Sequence, residues 1–474
     1  MTFRGSNKPF HLSTGPADTE VTMVRRAIIR IPLVVAALLS TTIVAADGAC
    51  PEGTQFYVSR REAVPTAQNL FFVHALATGD FNGDGLQDAV LGHVKFNQDV
   101  KFQPEILLND GNGGFFDGTT QVITGPIPTL WHPREIVVAD FNGDGKDDIF
   151  IVAHGIDSLA KGEPNKLLLS TLNNKLVDAS NRIPQVNDFS HAVAAGDIDG
   201  DGDVDLVVGN LGGEFQGPYI LINDGTGSFA MNTSRLPQKE FCCDGNMGAV
   251  LLFDVNKDGD IDLIIGDHYR DRSRIYLNDG RGYFRDAARI DLPESFIGGS
   301  PVYTVDIQAA DLDRDGHVDL ILSQTRRDPL HYLGRKIQIL MGDGTGHFRD
   351  ETGTRIPSAH LDKLRQEWYM SLYLVDFNRD GYPDIVVSIP ITGGATVPPE
   401  TPYVFINDGH GNFGPLTASV FGPQPDRILG PLIPLDADGD GGLDFFSAGF
   451  LYQLFRQQAP YSDCTPSIRS IKRI

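Results

Sequence analysis

A nine-residue acidic pattern recurs seven times along this 474-residue chain and constrains its fold more than any other feature. The pattern reads Asp-x-(Asp/Asn)-x-Asp-Gly-x-x-Asp, and by subtraction of their starting positions successive copies begin 57 to 65 residues apart. The copies begin at Asp80, Asp140, Asp197, Asp254, Asp311, Asp376 and Asp436. Such regular spacing indicates one supersecondary unit repeated seven times rather than several unrelated domains.

Each acidic loop lies between two short apolar runs, such as residues 135–139 and 149–153 around the second loop. Runs of this length that are rich in Val, Ile and Leu are typical of strands. A second marker, Asn-Asp-Gly-x-Gly-x-Phe, follows five of the loops, in some copies with one irregular or variant residue. It spans residues 109–115, 223–229, 278–284, 342–348 and 407–413. Because glycine accepts positive φ, this marker predicts a tight hairpin, so each unit should contain four strands.

Repeated four-stranded units without a helical pattern predict an all-β fold, a seven-bladed β-propeller of four-stranded blades. The seventh unit lacks a hairpin marker after residues 451–455, whereas residues 53–65 contain a segment that matches an outer strand. We therefore expect residues 53–65 to complete the seventh blade and close the ring. A disulfide between Cys50 and Cys464 is expected to lock this seam, because the two cysteines lie near opposite ends of the chain.

The acidic loops with their flanking strands, such as residues 140–149, resemble the FG-GAP repeats of integrin α-subunit propellers. The Asn-Asp-Gly-x-Gly-x-Phe hairpins are similar to the related VCBS repeats of exported proteins. The resemblance covers residues 53 to about 457. It implies a propeller fold and calcium binding, but such propellers serve as adhesion modules, lectin-like domains and enzyme scaffolds, so it does not specify the function.

The acidic loops have the composition of calcium sites, because calcium prefers roughly six to eight hard oxygen ligands. Side chains at positions 1, 3, 5 and 9 and the carbonyl at position 7 would supply them, while glycine at position 6 permits the sharp turn. Up to seven calcium ions are therefore expected. The expected ligands are Asp80, Asn82, Asp84, Leu86 and Asp88; Asp140, Asn142, Asp144, Lys146 and Asp148; Asp197, Asp199, Asp201, Asp203 and Asp205; Asp254, Asn256, Asp258, Asp260 and Asp262; Asp311, Asp313, Asp315, His317 and Asp319; Asp376, Asn378, Asp380, Tyr382 and Asp384; and Asp436, Asp438, Asp440, Gly442 and Asp444.

Position 3 distinguishes two kinds of loop. It is aspartate in loops three, five and seven and asparagine in the other four. We expect the loops with the additional carboxylate to bind calcium most tightly, although Gly439, Gly441 and Gly442 loosen the seventh. Without metal the clustered carboxylates would repel one another, so calcium should contribute to folding stability.

The strands that meet at each acidic loop have their other ends at the opposite face of the ring. Six of the twelve histidines are predicted to lie there, namely His74, His93, His132, His154, His191 and His268. The catalytic candidates on this face are His74, His132, His154, His191, His268, Arg270 and Tyr303. The ligand-binding candidates are Phe72, Trp131, Tyr269, Arg326, Trp368 and Tyr369. Aromatic faces stack on sugars, arginine pairs with carboxylates, and histidine transfers protons near neutral pH.

These residue types favour a recognition or adhesion module that binds a glycan or an extracellular protein. The alternative is a carbohydrate-active enzyme similar to propeller-type polysaccharide lyases, with a histidine base, a tyrosine acid and an arginine that neutralises a uronate. Three other interpretations stay open: a transition-metal site formed by the histidines, a purely structural surface protein, and side chains that only pack neighbouring blades. The chain has no Gly-x-Ser-x-Gly elbow, phosphate loop or His-Glu-x-x-His motif.

The amino-terminal residues predict export. Arg25, Arg26 and Arg30 precede an apolar stretch at residues 31–46, which predicts a signal peptide at 1–46 with cleavage after Ala46. A start at Met23 would make residues 1–22 spurious. Cleavage would leave the propeller at 47–464 and a tail at 465–474, with no stable membrane span.

The expected location is therefore secreted, periplasmic or at the cell surface, while an uncleaved membrane anchor or a lipid on Cys50 stay open. The net charge of -23 argues against a nucleic-acid partner, which needs clustered Lys and Arg. The adjacent Cys242 and Cys243 are either a vicinal disulfide or unpaired.

Overall fold

The computed structural model describes residues 57–59, 64, 72–95, 98–159, 161–213, 217–237, 247–267, 272–326, 333–357, 363–367, 369–388, 404–416, 430–448 and 452–457. Within these residues the chain forms 31 strands in seven mainly antiparallel sheets. The sheets are the seven blades of a β-propeller, as the repeats predict.

Strands β2 to β18 form the first four blades. Strand β1 (Tyr57–Ser59) belongs to the last blade. Blade one contains β2 (Phe72–Gly79), β3 (Asp88–Val94), β4 (Glu105–Asn109) and β5 (Phe115–Asp117). Blade two contains β6 (Ile123–Thr124), β7 (Pro133–Ala139), β8 (Asp148–Ala153), β9 (Lys166–Ser170) and β10 (Leu176–Asp178). Blade three contains β11 (Asp188–Gly196), β12 (Asp205–Gly213), β13 (Tyr219–Asn223) and β14 (Phe229–Asn232). Blade four contains β15 (Met247–Phe253), β16 (Asp262–Asp267), β17 (Arg274–Asn278) and β18 (Phe284–Asp291).

The remaining strands form blades five to seven. Blade five contains β19 (Phe296–Ile297), β20 (Ser300–Ala310), β21 (Asp319–Arg326), β22 (Leu333–Gly342), β23 (Phe348–Asp350) and β24 (Lys363–Glu367). Blade six contains β25 (Ser371–Val375), β26 (Asp384–Ser388), β27 (Val404–Asn407) and β28 (Phe413–Leu416). Blade seven contains β29 (Leu432–Leu435), β30 (Asp444–Ala448), β31 (Tyr452–Gln457) and β1. The helical segments are short: α1 (Thr119–Val122), α2 (Thr352–Arg355) and 3₁₀ turns at Asp157–Leu159 and Ser180–Arg182.

Two blades depart from the four-strand pattern. In blade two, β6 pairs in parallel with the outer strand β10, and in blade five, β19 and β24 extend the sheet beside β20 and β22. Among the described residues no helix has the length and apolar character needed to cross a membrane.

The core of the ring lies between blades rather than within them. Buried apolar side chains form seven clusters, and each contains residues from two neighbouring blades. The cluster between blades seven and one includes Phe115 and Phe446, whose ring centroids are 5.5 Å apart. A cluster at every junction, including the last with the first, means that the ring is closed by apolar packing.

The amino-terminal strand closes the seventh blade, as predicted. Strand β1 pairs antiparallel with β31, with Tyr57 opposite Gln457 and Ser59 opposite Phe455. Val64 is buried in the cluster between blades seven and one. Cys50, Cys464, Cys242 and Cys243 lie outside the described residues, so the expected disulfide stays a prediction.

Candidate calcium sites and the opposite face

Backbone N–H groups organise each acidic loop around its first aspartate. In all seven loops the position-6 glycine donates its N–H to Oδ2 of that aspartate, at 2.7 to 3.1 Å. These glycines have positive φ, for example 86° at Gly85, which only glycine adopts without strain. The loop is therefore folded into a compact turn by its own backbone.

The aspartate at position 9 joins three strands of its blade. In the first loop, Asp88 Oδ2 accepts the N–H of Phe81 at 3.0 Å, and Oδ1 accepts the N–H of Asn109 at 2.9 Å. The equivalent aspartates of the other six loops make the same two kinds of bond. All seven are buried, and burial raises the pKa of Asp88 to about 7. A bound divalent cation would favour the ionised form.

The donor atoms in three loops fit a hard cation. Carboxylate oxygens lie within 4.8 Å of one another in three groups, all in the loops with aspartate at position 3. The groups are Asp197, Asp199 and Asp205; Asp311, Asp313 and Asp315; and Asp436, Asp438 and Asp444. Oδ1 of Asp199, Asp254 and Asp311 is buried without a hydrogen-bond partner, as expected of an oxygen that serves as a metal ligand.

In the loops with asparagine at position 3, the amide oxygen faces into the turn. Asn82 Oδ1 accepts the N–H of Asp84 at 2.8 Å, and the same contact recurs in the other asparagine loops. Positions 1, 3, 5 and 7 thus lie on one short turn in each loop, and the position-9 aspartate begins the following strand.

In blades three, four and six the hairpin asparagine docks on the acidic loop of the blade before it. Asn223 Nδ2 donates to the carbonyl of Phe141 at 2.8 Å, and Asn278 Nδ2 donates to that of Ile198 at 2.7 Å. The ring of Phe229 packs against Phe141 with centroids 5.7 Å apart. Sequence reasoning identified these segments only as hairpins, but each acidic loop is also part of a junction between blades.

Four predicted histidines form a row on the opposite face, across blades one to three. His74 Nδ1 lies 2.7 Å from His132 Nε2. The ring centroids of His132 and His154 are 5.2 Å apart, and those of His154 and His191 are 5.7 Å apart. All four side chains are buried. Residues predicted separately in three repeats are therefore brought together.

An equivalent β-bulge places part of this row. The extra residue of the bulge is His74 in β2, Arg134 in β7 and His191 in β11, and the same bulge has Gly248 in β15 and Val305 in β20. Arg134 Nη1 lies 2.9 Å from His74 Nε2. Burial, followed by the positive charge of Arg134, holds the pKa of His74 well below its usual range, so this imidazole is neutral at neutral pH. A guanidinium this close disfavours a bound transition metal, so the row is better suited to hydrogen bonding than to metal coordination.

A second polar group lies at the junction of blades seven and one. Glu105 Oε2 is 2.8 Å from His93 Nε2 and accepts a 2.5 Å hydrogen bond from the Tyr452 hydroxyl. Nδ1 of His93 is buried without a hydrogen-bond partner. Burial and the Glu105 carboxylate raise the pKa of Tyr452, which keeps it protonated. Sequence reasoning placed His93 on this face but missed Glu105 and Tyr452.

Comparisons with known proteins agree with this geometry. The family described as FG-GAP-like repeat matches residues 80–151 and 254–322, and the family described as FG-GAP repeat matches residues 189–220. The chain is an FG-GAP-repeat β-propeller.

One solved structure that resembles this propeller concerns specific recognition of non-reducing terminal N-acetylglucosamine by an Agrocybe aegerita lectin. Its TM-score is 0.43 at 17% identity, and the match covers 83% of this chain and 88% of that chain. This similarity is too low to support a conclusion about binding. No curated protein matches the propeller.

The aromatic candidates occupy different environments in the propeller. Phe72, Tyr303 and Tyr369 are buried, and Tyr303 is only 1% exposed. Trp131 is half-buried, with the ammonium groups of Lys101 and Lys161 3.8 and 4.1 Å from its ring centroid. The buried rings contribute to packing at this face, whereas the half-buried ring of Trp131 is contacted by two ammonium groups and donates its indole N–H to Asp99.

Five of the predicted residues remain to be placed. Arg326 ends β21 and is half-buried. His268, Tyr269, Arg270 and Trp368 lie outside the described residues.

Proposed function

We propose that this FG-GAP propeller is an exported, calcium-stabilised recognition module that binds a glycan or an extracellular protein on the face opposite its acidic loops. The main support is the polar row on that face, in which His74, His132, His154 and His191 lie close together and Arg134 contacts His74. The bulge itself recurs in blades four and five with Gly248 and Val305 as the extra residue, so blade packing does not require the polar side chains found at this position in blades one to three.

Calcium has a defined role in this proposal. The acidic loops carry much of the net charge of -23, and each loop also supports a junction between blades. Calcium would offset carboxylate repulsion in the loop and thereby stabilise the junction. Export through residues 1–46 and a Cys50–Cys464 bridge belong to the same proposal, because both suit a calcium-rich, oxidising compartment.

An immobilised glycan panel with neutral and uronate-containing members, together with a panel of extracellular matrix proteins, tests the binding function. We expect saturable binding in calcium that weakens at least about tenfold in R134Q, because the guanidinium contacts His74 at one end of the row and supplies its positive charge. The control is H347Q, since His347 is exposed on a hairpin of the loop face. Equal binding by R134Q and the unaltered protein would place the ligand elsewhere, and no binding to either panel would remove the proposal's support.

The group formed by His93, Glu105 and Tyr452 favours a second candidate, a carbohydrate-active enzyme of the lyase type. A histidine held by a carboxylate beside a protonated tyrosine can serve as base and acid, respectively. Incubation with uronate polysaccharides would then yield an unsaturated product detected by ultraviolet absorbance, and Y452F would abolish it. If none of the substrates gives that product, the enzyme interpretation fails while the binding proposal stands.

A further inference from the structure

Each of the three acidic loops with aspartate at position 3 has an arginine beside that aspartate. Arg235 Nη1 lies 2.7 Å from Asp199 Oδ2, and Arg355 Nη2 lies 3.4 Å from Asp313 Oδ2. In the seventh loop, Arg456 forms an ion pair with Asp438. All six side chains are less than one third exposed, so solvent screens these pairs less than a surface pair.

The arginines reach their partners from different parts of the blade. Arg235 and Arg355 each precede a Leu-Pro or Ile-Pro pair after the outer strand, whereas Arg456 lies in β31, the third strand of its blade. The same charge pairing therefore does not follow simply from repetition of one sequence position. It is found wherever the loop carries the additional carboxylate.

In three of the four asparagine loops, the side-chain amide at position 3 contacts the position-5 aspartate, whereas Asn142 donates to Asp148 and Ser170. Asn82 Nδ2 donates to Asp84 Oδ2 at 2.8 Å, and Asn256 and Asn378 make the equivalent bond at the same distance. Blade two provides a natural comparison, because Arg182 occupies the sequence position of Arg235 but its loop has asparagine at position 3. Arg182 donates instead to the carbonyl of Thr226 at 2.7 Å.

The Asp199 carboxylate is divided between two roles. Oδ2 contacts Arg235, while Oδ1 is buried without a hydrogen-bond partner, and Asp199 is one of the three carboxylates in this loop that could hold an ion. An arginine that contacts Oδ2 would fix the orientation of the carboxylate. It would also reduce the negative electrostatic potential at a cation bound to Oδ1.

We infer that Arg235, Arg355 and Arg456 are charge-compensating residues that equalise the calcium affinities of the two kinds of loop. This inference rests on the proposed calcium binding. Each arginine stabilises the calcium-free loop and cancels the additional attraction of the fourth carboxylate. Loops three, five and seven then bind calcium about as tightly as the asparagine loops, not more tightly as a count of carboxylates predicts. Arg355 also contacts the next blade, because it donates to the carbonyl of His410.

The test compares R235Q with the unaltered protein by thermal unfolding in EDTA and in a calcium series, and by calorimetric calcium titration. We expect the midpoint in EDTA to fall by roughly 1–3 °C, because the loop carboxylates lose their counter-charge. The affinity of one site should rise about threefold to tenfold, because a positive charge near the ion is removed. The double variant D199N/R235Q should recover the EDTA midpoint, since it reproduces an asparagine loop.

R182Q is the matched control and should leave both the EDTA midpoint and the calcium affinities unchanged. If R235Q weakens calcium binding as D199N does, the arginine is only a positioning residue and charge compensation is wrong. If R235Q changes neither quantity while calcium stabilises the unaltered protein, the inference fails but the proposed calcium binding stands. If calcium does not raise the midpoint of the unaltered protein, both fail.

Discussion

Glu135 and Asp306 occupy equivalent positions on the inner strands of blades two and five. Glu135 Oε2 accepts the N–H of Val193 at 2.9 Å, and Asp306 Oδ2 accepts the N–H of Leu372 at 2.8 Å. Each acceptor thus satisfies a backbone group on the open edge of the next inner strand. Burial raises the pKa of Glu135 to about 8 and that of Asp306 to about 6. Glu135 therefore keeps its proton at neutral pH.

The raised pKa of Glu135 predicts a pH-dependent stability. Between its ordinary pKa of 4.5 and about 8, the unfolded chain releases a proton that the folded chain keeps. The free energy of unfolding should therefore fall as pH rises through this window, by at most about 1.4 kcal/mol per pH unit from this group. E135Q keeps an acceptor for Val193 but cannot ionise, so its denaturant midpoints between pH 5 and 9 should vary less.

These measurements belong in saturating calcium, which holds the loop carboxylates in one state. E294Q serves as the control, because Glu294 is 41% exposed. If the pH profiles of E135Q and the unaltered protein coincide, Glu135 ionises normally in the folded protein.

Single residues differed in how well the sequence revealed them. The acidic loops were predictable because all their ligand positions lie within nine residues and recur seven times. Glu135 and Asp306 carried no such signal, since the equivalent positions in other blades have small residues such as Ala75 and Ala192. Tyr452 meets Glu105 only because the ring closes, and no local pattern links residues that far apart.

At the scale of the element, the docking of a hairpin on the preceding loop depends on one buried asparagine. Asn278 donates to the carbonyls of Ile198 at 2.7 Å and Ile261 at 2.9 Å, while its Oδ1 accepts the N–H groups of Gly280 and Gly282. The variant N278A would leave these buried groups without partners. We expect a loss of about 2–3 kcal/mol in the free energy of unfolding, measured by chemical denaturation.

Asn112 is the matched control for this element. It lies in the hairpin of blade one but is exposed, so N112A should change stability by less than about 0.5 kcal/mol. A similar small loss in N278A would mean that the hairpin is held by the apolar contact of its phenylalanine and not by the asparagine.

The regular strands and hairpins were largely predictable from periodicity, whereas the extra short strands and the β-bulges were not. Strands β6 and β19 contain two residues each, which is too short for any alternation to register. The bulges at His74, Arg134 and His191 could not be predicted from the sequence either, because one additional residue in a strand does not change its composition. These bulges determine which side chains the opposite face presents, so the candidate binding site was located only to the correct end of the ring.

At the scale of the whole molecule, the ring depends on a strand contributed by the other end of the chain. Pairing of β1 with β31 covers the edge of blade seven over three residue pairs. Propellers avoid free sheet edges because an open edge recruits other chains. Sequence reasoning found this closure because the last repeat lacked its outer strand and the amino-terminal segment matched the missing piece.

Removal of residues 47–62 should therefore open the seventh blade while leaving the other six intact. Loss of the β1 pairing should lower the free energy of unfolding by about 2–4 kcal/mol, because three residue pairs lose their backbone bonds. The exposed edge of β31 should also promote self-association, which light scattering during size-exclusion chromatography would detect.

The variant C50S separates the effect of the strand from that of the expected disulfide. If C50S alone is as unstable as the deletion, the covalent bond and not the strand closes the ring. If the deletion is as stable and monomeric as the unaltered protein, apolar packing between blades seven and one is sufficient for closure, and β1 only covers a finished ring.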